Sequence, residues 1–229
     1  MESDFQKLEQ EIIGCRRCLR LVEWREKVAR EKVRRFRDQE YWGRPIPAFG
    51  SPNAELIIVG LAPAAHGGNR TGRIFTGDRS GDWLYEALYR FDFSNQPKST
   101  DIDDGLAVNN CLITAVLRCV PPDNKPLPQE VINCRGYLQQ ELEFASRKRV
   151  IVALGQIAFT NLLRTWRGMG GSLGDIKPEF RHGGEWEIPG GIALIASYHP
   201  SQQNTQTGKL TRAMFHQIFR RARNIIDER

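Results

Sequence analysis

Four short, almost uninterrupted aliphatic runs constrain this chain more than anything else in its sequence. They are ELIIVGL at Glu55–Leu61, CLITAVL at Cys111–Leu117, RVIVAL at Arg149–Leu154 and IALIAS at Ile192–Ser197. A strand with one wet face alternates apolar and polar residues. A run without alternation suits a strand covered on both faces, as in a parallel sheet between helical layers. Helical patterns follow the runs, over Gly81–Arg90, Gln129–Ser146, Gln156–Trp166 and Thr211–Ile226. The alternation predicts an α/β fold, a three-layer α/β/α sandwich around a short, mostly parallel, four-stranded central sheet. The segment Phe180–Gly191, with its glycines and WEIPGG, predicts a hairpin-like excursion. Residues 1–229 show no repeat, low-complexity stretch or Pro/Gly/Ser linker, so they read as one domain. Roughly the first 40 residues of that domain form a helical segment.

In open α/β sheets the functional crevice lies at the carboxyl ends of the strands. Three polar loops start there: GLAPAAHGGNRTGRIFTGDRSG (Gly60–Gly81), RCVPPDNKP (Arg118–Pro126) and SYHPSQQNTQTGKL (Ser197–Leu210). The six glycines of the first loop permit tight turns and close approach of another molecule. No Gly-Lys-Ser/Thr phosphate loop and no G-x-G-x-x-G occurs in it, which disfavours nucleotide phosphates as the ligand. Asp78 stands where a helix N-cap belongs, and His66 reads as a hydrogen-bonding loop residue. In the third loop His199 directly follows a strand and suits hydrogen-bond donation to a developing anion. Its neighbours Ser201, Gln202 and Asn204 are short, uncharged and suited to a phosphate backbone.

Lys and Arg number 33 against 27 Asp and Glu, a formal net charge of +6, which suits a polyanionic partner. The basic run Arg25–Arg37 (REKVAREKVRRFR) reads equally as a solvated helix face or as a nucleic-acid contact. No stretch approaches the ~18 apolar residues of a membrane span. The N-terminus is acidic and helical in pattern without a charged-then-apolar leader, so the expectation is a cytoplasmic protein away from membranes. The five cysteines are an odd count for a disulfide framework and point to a metal. Cys15 and Cys18 form C-x-x-C, while Cys119 and Cys134 lie far downstream, a spacing that leaves zinc and an iron–sulfur cluster both open. Cys111, on the second run, reads as a small core residue.

Together, GLAPAAHGGNRTGRIFTGD, the C-x2-C…RCVPPDNKP…C pattern and SYHPSQQNTQTGKLT resemble the family 5 (type b) uracil-DNA glycosylases, an iron–sulfur branch of their superfamily. The resemblance runs from about Cys15 to Arg223. It implies a monomeric DNA-repair enzyme, nucleoid-associated in a prokaryote. Such an enzyme flips uracil and other deaminated bases such as hypoxanthine and xanthine out of DNA and hydrolyses their glycosidic bonds, leaving abasic sites. It also implies a [4Fe–4S] cluster on Cys15, Cys18, Cys119 and Cys134, tying the N-terminal helical segment to the body. Asp78 and His199 match the catalytic Asp and His. Gly60–Pro63, with Ala62 and Pro63, match the first active-site motif, the backbone amides of the loop through Ala64 assist at the base, and Phe75 matches the ring that stacks on the flipped base.

Two positions depart from the related iron–sulfur family 4. An acidic residue there corresponds to Leu61 here, which leaves Asp78 as the nearest carboxylate to position water. An Asn that reads uracil corresponds to Ala115, which removes an amide and widens the pocket. Asn124 is a substitute amide in this reading, and Arg70, Arg73 and Lys209 are phosphate contacts. The rival expectations are a non-catalytic, cluster-stabilised nucleic-acid-binding module and a nucleotide or nucleoside hydrolase using the same crevice on a small substrate.

Overall fold

A computed structural model describes residues 2–173 and 177–228. Its helices are α1 (Glu2–Ile13), α2 (Leu19–Glu31), α3 (Gly68–Thr71), α4 (Arg79–Arg90), α5 (Pro128–Phe144), α6 (Gln156–Gly168), α7 (Gln202–Gln206) and α8 (Arg212–Asp227). Its strands are β1 (Phe49–Gly50), β2 (Leu56–Gly60), β3 (Cys111–Ala115), β4 (Val150–Leu154), β5 (Glu185–Ile188) and β6 (Ile192–Ser197). The sheet has six strands in the order β1-β3-β2-β4-β6-β5, not the four expected. Its middle is the predicted parallel set β3, β2, β4 and β6. The two additions are antiparallel edges. β1 has only two residues, too few to show a period, and β5 is the outer arm of the hairpin expected over Phe180–Gly191.

The buried strands feed both faces. Ile57, Val59, Leu112, Ile151, Ala153, Leu194 and Ala196 point into one apolar cluster with α1, α5 and α6. Leu56, Ile58, Ile113, Val150, Val152 and Ile195 point into a second cluster with α4 and α8. That period-two division explains why the runs carry no polar positions. The chain leaves β2 through α4 on one face and leaves β4 through α6 on the other. The connections leaving these two neighbouring parallel strands thus go to opposite faces, which opens a crevice between Gly60 and Gly155.

The N-terminal helices dock by ordinary packing as well as beside the cysteines. Phe5, Leu8, Ile12 and Leu21 join the cluster that holds Val131, Leu138 and Leu142 of α5. Arg20 grips Glu130 with two 2.7 Å hydrogen bonds, joining the starts of α2 and α5. Glu130 also accepts the Leu127 N–H at 2.7 Å and so caps its own helix. No helix among the described residues is long and apolar enough to cross a membrane.

Candidate active site

The crevice floor is Gly60, the last residue of β2, paired in register with Ala115 at the end of β3. The Phe75 ring lies directly over it: a Cβ on Gly60 would stand 2.9 Å from Phe75 Cζ. Glycine is required here because the ring takes the place of a side chain. Phe75 itself has φ of +54°, in the left-handed region that bulky residues avoid. Strain of roughly 1–3 kcal/mol at such a residue persists only where the surroundings enforce it. Here Gly81 packs against the Phe75 carbonyl, and Tyr85 donates to the Ile74 carbonyl at 3.0 Å. The result is an aromatic plate 6.0 Å from the His199 ring, tilted by 31°.

His199 follows β6, and its Cβ packs on Gly155, whose φ of +96° lets the chain turn from β4 into α6. Asn204 of α7 donates to the His199 carbonyl at 2.8 Å, so the short helix fixes the His backbone. His182 accepts the preceding Tyr198 N–H at 3.1 Å and stacks on the Tyr198 ring. Burial pushes the His199 imidazole down to about 4, so the ring is neutral at pH 7.

Asp78 does two jobs at once. Its Oδ1 accepts the Gly81 N–H at 2.9 Å and caps α4. Its Oδ2 lies against Gly67, where any side chain would collide with it. Burial pushes its carboxyl above the ordinary aspartate value, against the opposing pull of the Gly81 and Ser80 amides. Two residues on, Ser80 donates to the Pro200 carbonyl at 3.1 Å, which ties the Asp78 turn to the His199 loop. Phe75 and His199 therefore lie together at the carboxyl end of the sheet beside Gly60 and Ala115, the Asp78 turn is tied to them through Ser80, and Ala62, Pro63 and Ala64 follow Gly60 in the same loop. His66 bonds Tyr41 OH through Nδ1 at 3.2 Å and accepts from Arg70 through its carbonyl, a loop hydrogen-bonder as expected.

Two of the expected phosphate contacts are corrected. Arg70 and Arg73 are 5% and 4% exposed, with their guanidinium groups committed inside the protein. Arg70 donates to His66 O, Gln39 Oε1 and Gly77 O beneath the Phe36 ring. Arg73 pairs with Asp104 at 2.7 Å and donates to Thr76, Ser99 and the Ile102 carbonyl. Both arginines hold the glycine-rich loop in shape. Ser201 caps α7 by accepting the Asn204 N–H at 3.3 Å, and Gln202 and Lys209 are exposed beside it. Lys209 lies over the Tyr198 ring at 4.8 Å. Asn124 is exposed with φ of +57°, next to the Lys125 carbonyl that Arg20 holds, rather than buried as a base-reading amide would be.

Cys15, Cys18, Cys119 and Cys134 line one cavity together with Arg25, Arg118, Leu21, Val22 and Pro45. Asn133 Nδ2 donates to Cys18 Sγ at 3.4 Å and Arg25 Nη1 to Cys119 Sγ at 2.9 Å. Among the described residues no three or more His, Cys, Asp or Glu are gathered tightly enough to hold a metal ion. The donor set still fits a metal centre: four thiols from three chain segments, two accepting charged or amide N–H donors. Burial pushes the Cys119 thiol up to about 12, with the Arg25 guanidinium beside it pulling the other way. Arg25, Asn69 and His182 had no signal of their own in the sequence. Gly155 alone carried a hint, as a glycine ending a buried strand.

Residues 47–223 match the family model described as the uracil DNA glycosylase superfamily. A type-5 uracil-DNA glycosylase of Mycobacterium tuberculosis is 52% identical over 212 residues, 92% of this chain and 78% of the relative. One of Thermus thermophilus is 46% identical over 222 residues, 97% of this chain and 98% of the relative. A type-4 uracil-DNA glycosylase of Pyrobaculum aerophilum is 30% identical over 200 residues, 86% of this chain and 83% of the relative.

Proposed function

The chain belongs to the uracil DNA glycosylase superfamily, and from that premise we propose that it is a DNA glycosylase that hydrolyses the glycosidic bond of uracil in DNA and leaves an abasic site. The observation that carries the reading is a strained aromatic plate over Gly60, close to a neutral imidazole, with a half-buried carboxylate on the adjoining turn. The glycosidic bond is out of reach inside a duplex, so the base leaves the stack, which costs least for mispaired or deaminated bases. It enters over Gly60 and stacks on Phe75, a contact worth roughly 1–3 kcal/mol.

Bond cleavage leaves an oxocarbenium-like sugar and a base anion, and the site meets both charges. Neutral His199 donates an N–H to the base carbonyl oxygen. Its partner at the sugar is Asp78, whose capping bond holds one oxygen still while the other orients water and offsets positive charge. Phosphate contacts come from Lys209, Ser201, Gln202 and Asn204, with Arg70 and Arg73 excluded by their burial. The defining measurement is incubation with a uracil-containing oligonucleotide followed by alkaline cleavage at abasic sites. Strand cleavage at the uracil position is expected. DNA binding without base release would instead favour a non-catalytic binding module.

The substrate range extends to hypoxanthine and xanthine. Ala115, 1% exposed and across from Gly60, gives the pocket wall a methyl group where an amide would read uracil. Ala115→Asn is expected to raise the ratio of uracil to hypoxanthine release by about tenfold or more. Single-turnover assays on both oligonucleotides measure it, and an unchanged ratio would remove Ala115 from the specificity argument.

The four cysteines hold a [4Fe–4S] cluster. It supplies a cross-link from the N-terminal helices to α5 and the β3 loop, and no step of the hydrolysis uses it. Its support within the protein is Arg25: a buried guanidinium aimed at Cys119 suits an anionic centre and not four neutral thiols.

A further inference from the structure

Helix α2 runs between the cysteine cavity and the glycine-rich loop, and one residue touches both. Arg25 is 2% exposed. Its Nη1 donates to Cys119 Sγ at 2.9 Å and to the Cys15 carbonyl at 3.3 Å, while its Nε is buried without a hydrogen-bond partner. The carboxylate of Glu26 stands 3.9 Å from its Nη2, already engaged by Arg16 and 41% exposed. Arg118, on the same cavity wall, differs in being matched by buried Glu141 at 2.6 Å. Arg25 therefore brings a positive charge to the cavity that no buried carboxylate balances. Such a charge is costly unless an anion faces it. Four thiolates around an iron–sulfur core, doubly negative overall, are that anion.

The backbone of the same residue reaches the other way. The Arg25 carbonyl accepts from Asn69 Nδ2 at 3.2 Å. Asn69 is buried in α3, where its N–H donates to Ala64 O and its carbonyl accepts the Gly43 N–H, both at 3.0 Å. Immediately before α3 comes Gly67, which lies against the Asp78 carboxylate. A single residue thus spans from a cysteine sulfur to the turn that backs Asp78.

We infer that Arg25 is a positioning residue joining the four-cysteine centre to the Asp78 loop. Its guanidinium balances and orients the Cys119 thiolate. Its carbonyl anchors Asn69 and, through α3, the Gly67 turn. This rests on the thiolate centre proposed above. Coupling between two sites is reciprocal, so seating DNA on the loop should alter how firmly the centre holds its metal.

The test uses the full chain as purified, with metal content measured first. Wild-type protein is expected to carry about four irons and a broad visible absorption. Protein with neither iron nor zinc but full uracil release would overturn the underlying centre, and is read before any variant is made. Arg25→Gln is expected to lose iron to a chelator about 10–100-fold faster, with Arg25→Lys in between. Asn69→Ala is expected to keep its iron and visible spectrum. Its single-turnover base release falls by about tenfold or more, because a small misplacement of a catalytic group is enough, and its affinity for an abasic oligonucleotide holds. That oligonucleotide should slow iron loss from the wild type and not from Asn69→Ala. Equal protection in both, or a chelation rate indifferent to Arg25→Gln, overturns the inference. Should Arg25→Gln fail to fold, the Asn69→Ala comparison decides alone.

Discussion

Asp78→Asn should lose base release by a factor of about 10²–10⁴ while melting at the wild-type temperature and binding abasic DNA as before. Asn rather than Ala is the informative substitution because Asp78 caps α4 through Oδ1. Asn caps as well as Asp, whereas Ala costs about 1 kcal/mol of helix stability. A dead Asp78→Ala would leave open whether the carboxylate or the helix start had been lost. A dead Asp78→Asn isolates the charge. The pH dependence gives a second handle. Only the ionised carboxylate orients water and offsets sugar charge, and burial raises its pKa above the ordinary 3.8. The acid limb of the wild-type single-turnover profile should therefore lie above that value, and the residual rate of Asp78→Asn should lack it. Wild-type rates in Asp78→Asn would remove this residue from catalysis and leave it a helix cap.

The central sheet was legible because physics leaves little choice. Strands such as Leu56–Gly60 and Val150–Leu154, buried on both faces, must be aliphatic throughout, and few other structures tolerate such runs. The edges were less legible: β1 has two residues, too few for a period, and β5 (EWEI) alternates over only four residues, enough for a hairpin arm and not for a placed edge strand. The site was legible in its polar residues and not in its supports. Arg70 and Arg73 sit among glycines in a polar loop, which is also how a phosphate-contacting arginine looks. Their partners, Gln39, Ser99, Ile102 and Asp104, lie 26 to 31 residues away in sequence, so the fold alone could assign them. Arg25 belongs to a basic run whose Lys27, Arg30, Arg34, Arg35 and Arg37 are exposed, and composition could not single it out. The cap and the catalytic reading of Asp78 looked like competitors. The geometry makes them compatible, since the cap engages Oδ1 while Oδ2 lies against Gly67.

His199→Gln should slow base release by up to about 10²–10³, the cost of losing the alignment of one donor to a developing anion, with DNA binding retained. The form of its pH dependence separates two ways a histidine can act. An imidazolium partner would give rates that climb as pH falls through the ordinary value of 6.5. Burial instead holds His199 at about 4, so a neutral donor works from alkaline pH down through 5 with no inflection of its own near 6.5. Stability carries the complementary signature. A histidine whose folded pKa is depressed takes up protons more readily when unfolded. Its contribution is therefore complete above pH 6.5 and is lost as pH falls from there toward about 4. His66 and His182 are also depressed by burial and add to the same slope, so the wild type alone cannot assign it. The difference between wild type and His199→Gln can. Melting temperatures measured from pH 8 to 4 should fall less steeply in the variant. Parallel curves, or a wild-type rate rising through pH 6.5, would mean that the imidazole is charged and that the site stabilises the departing base with a cation.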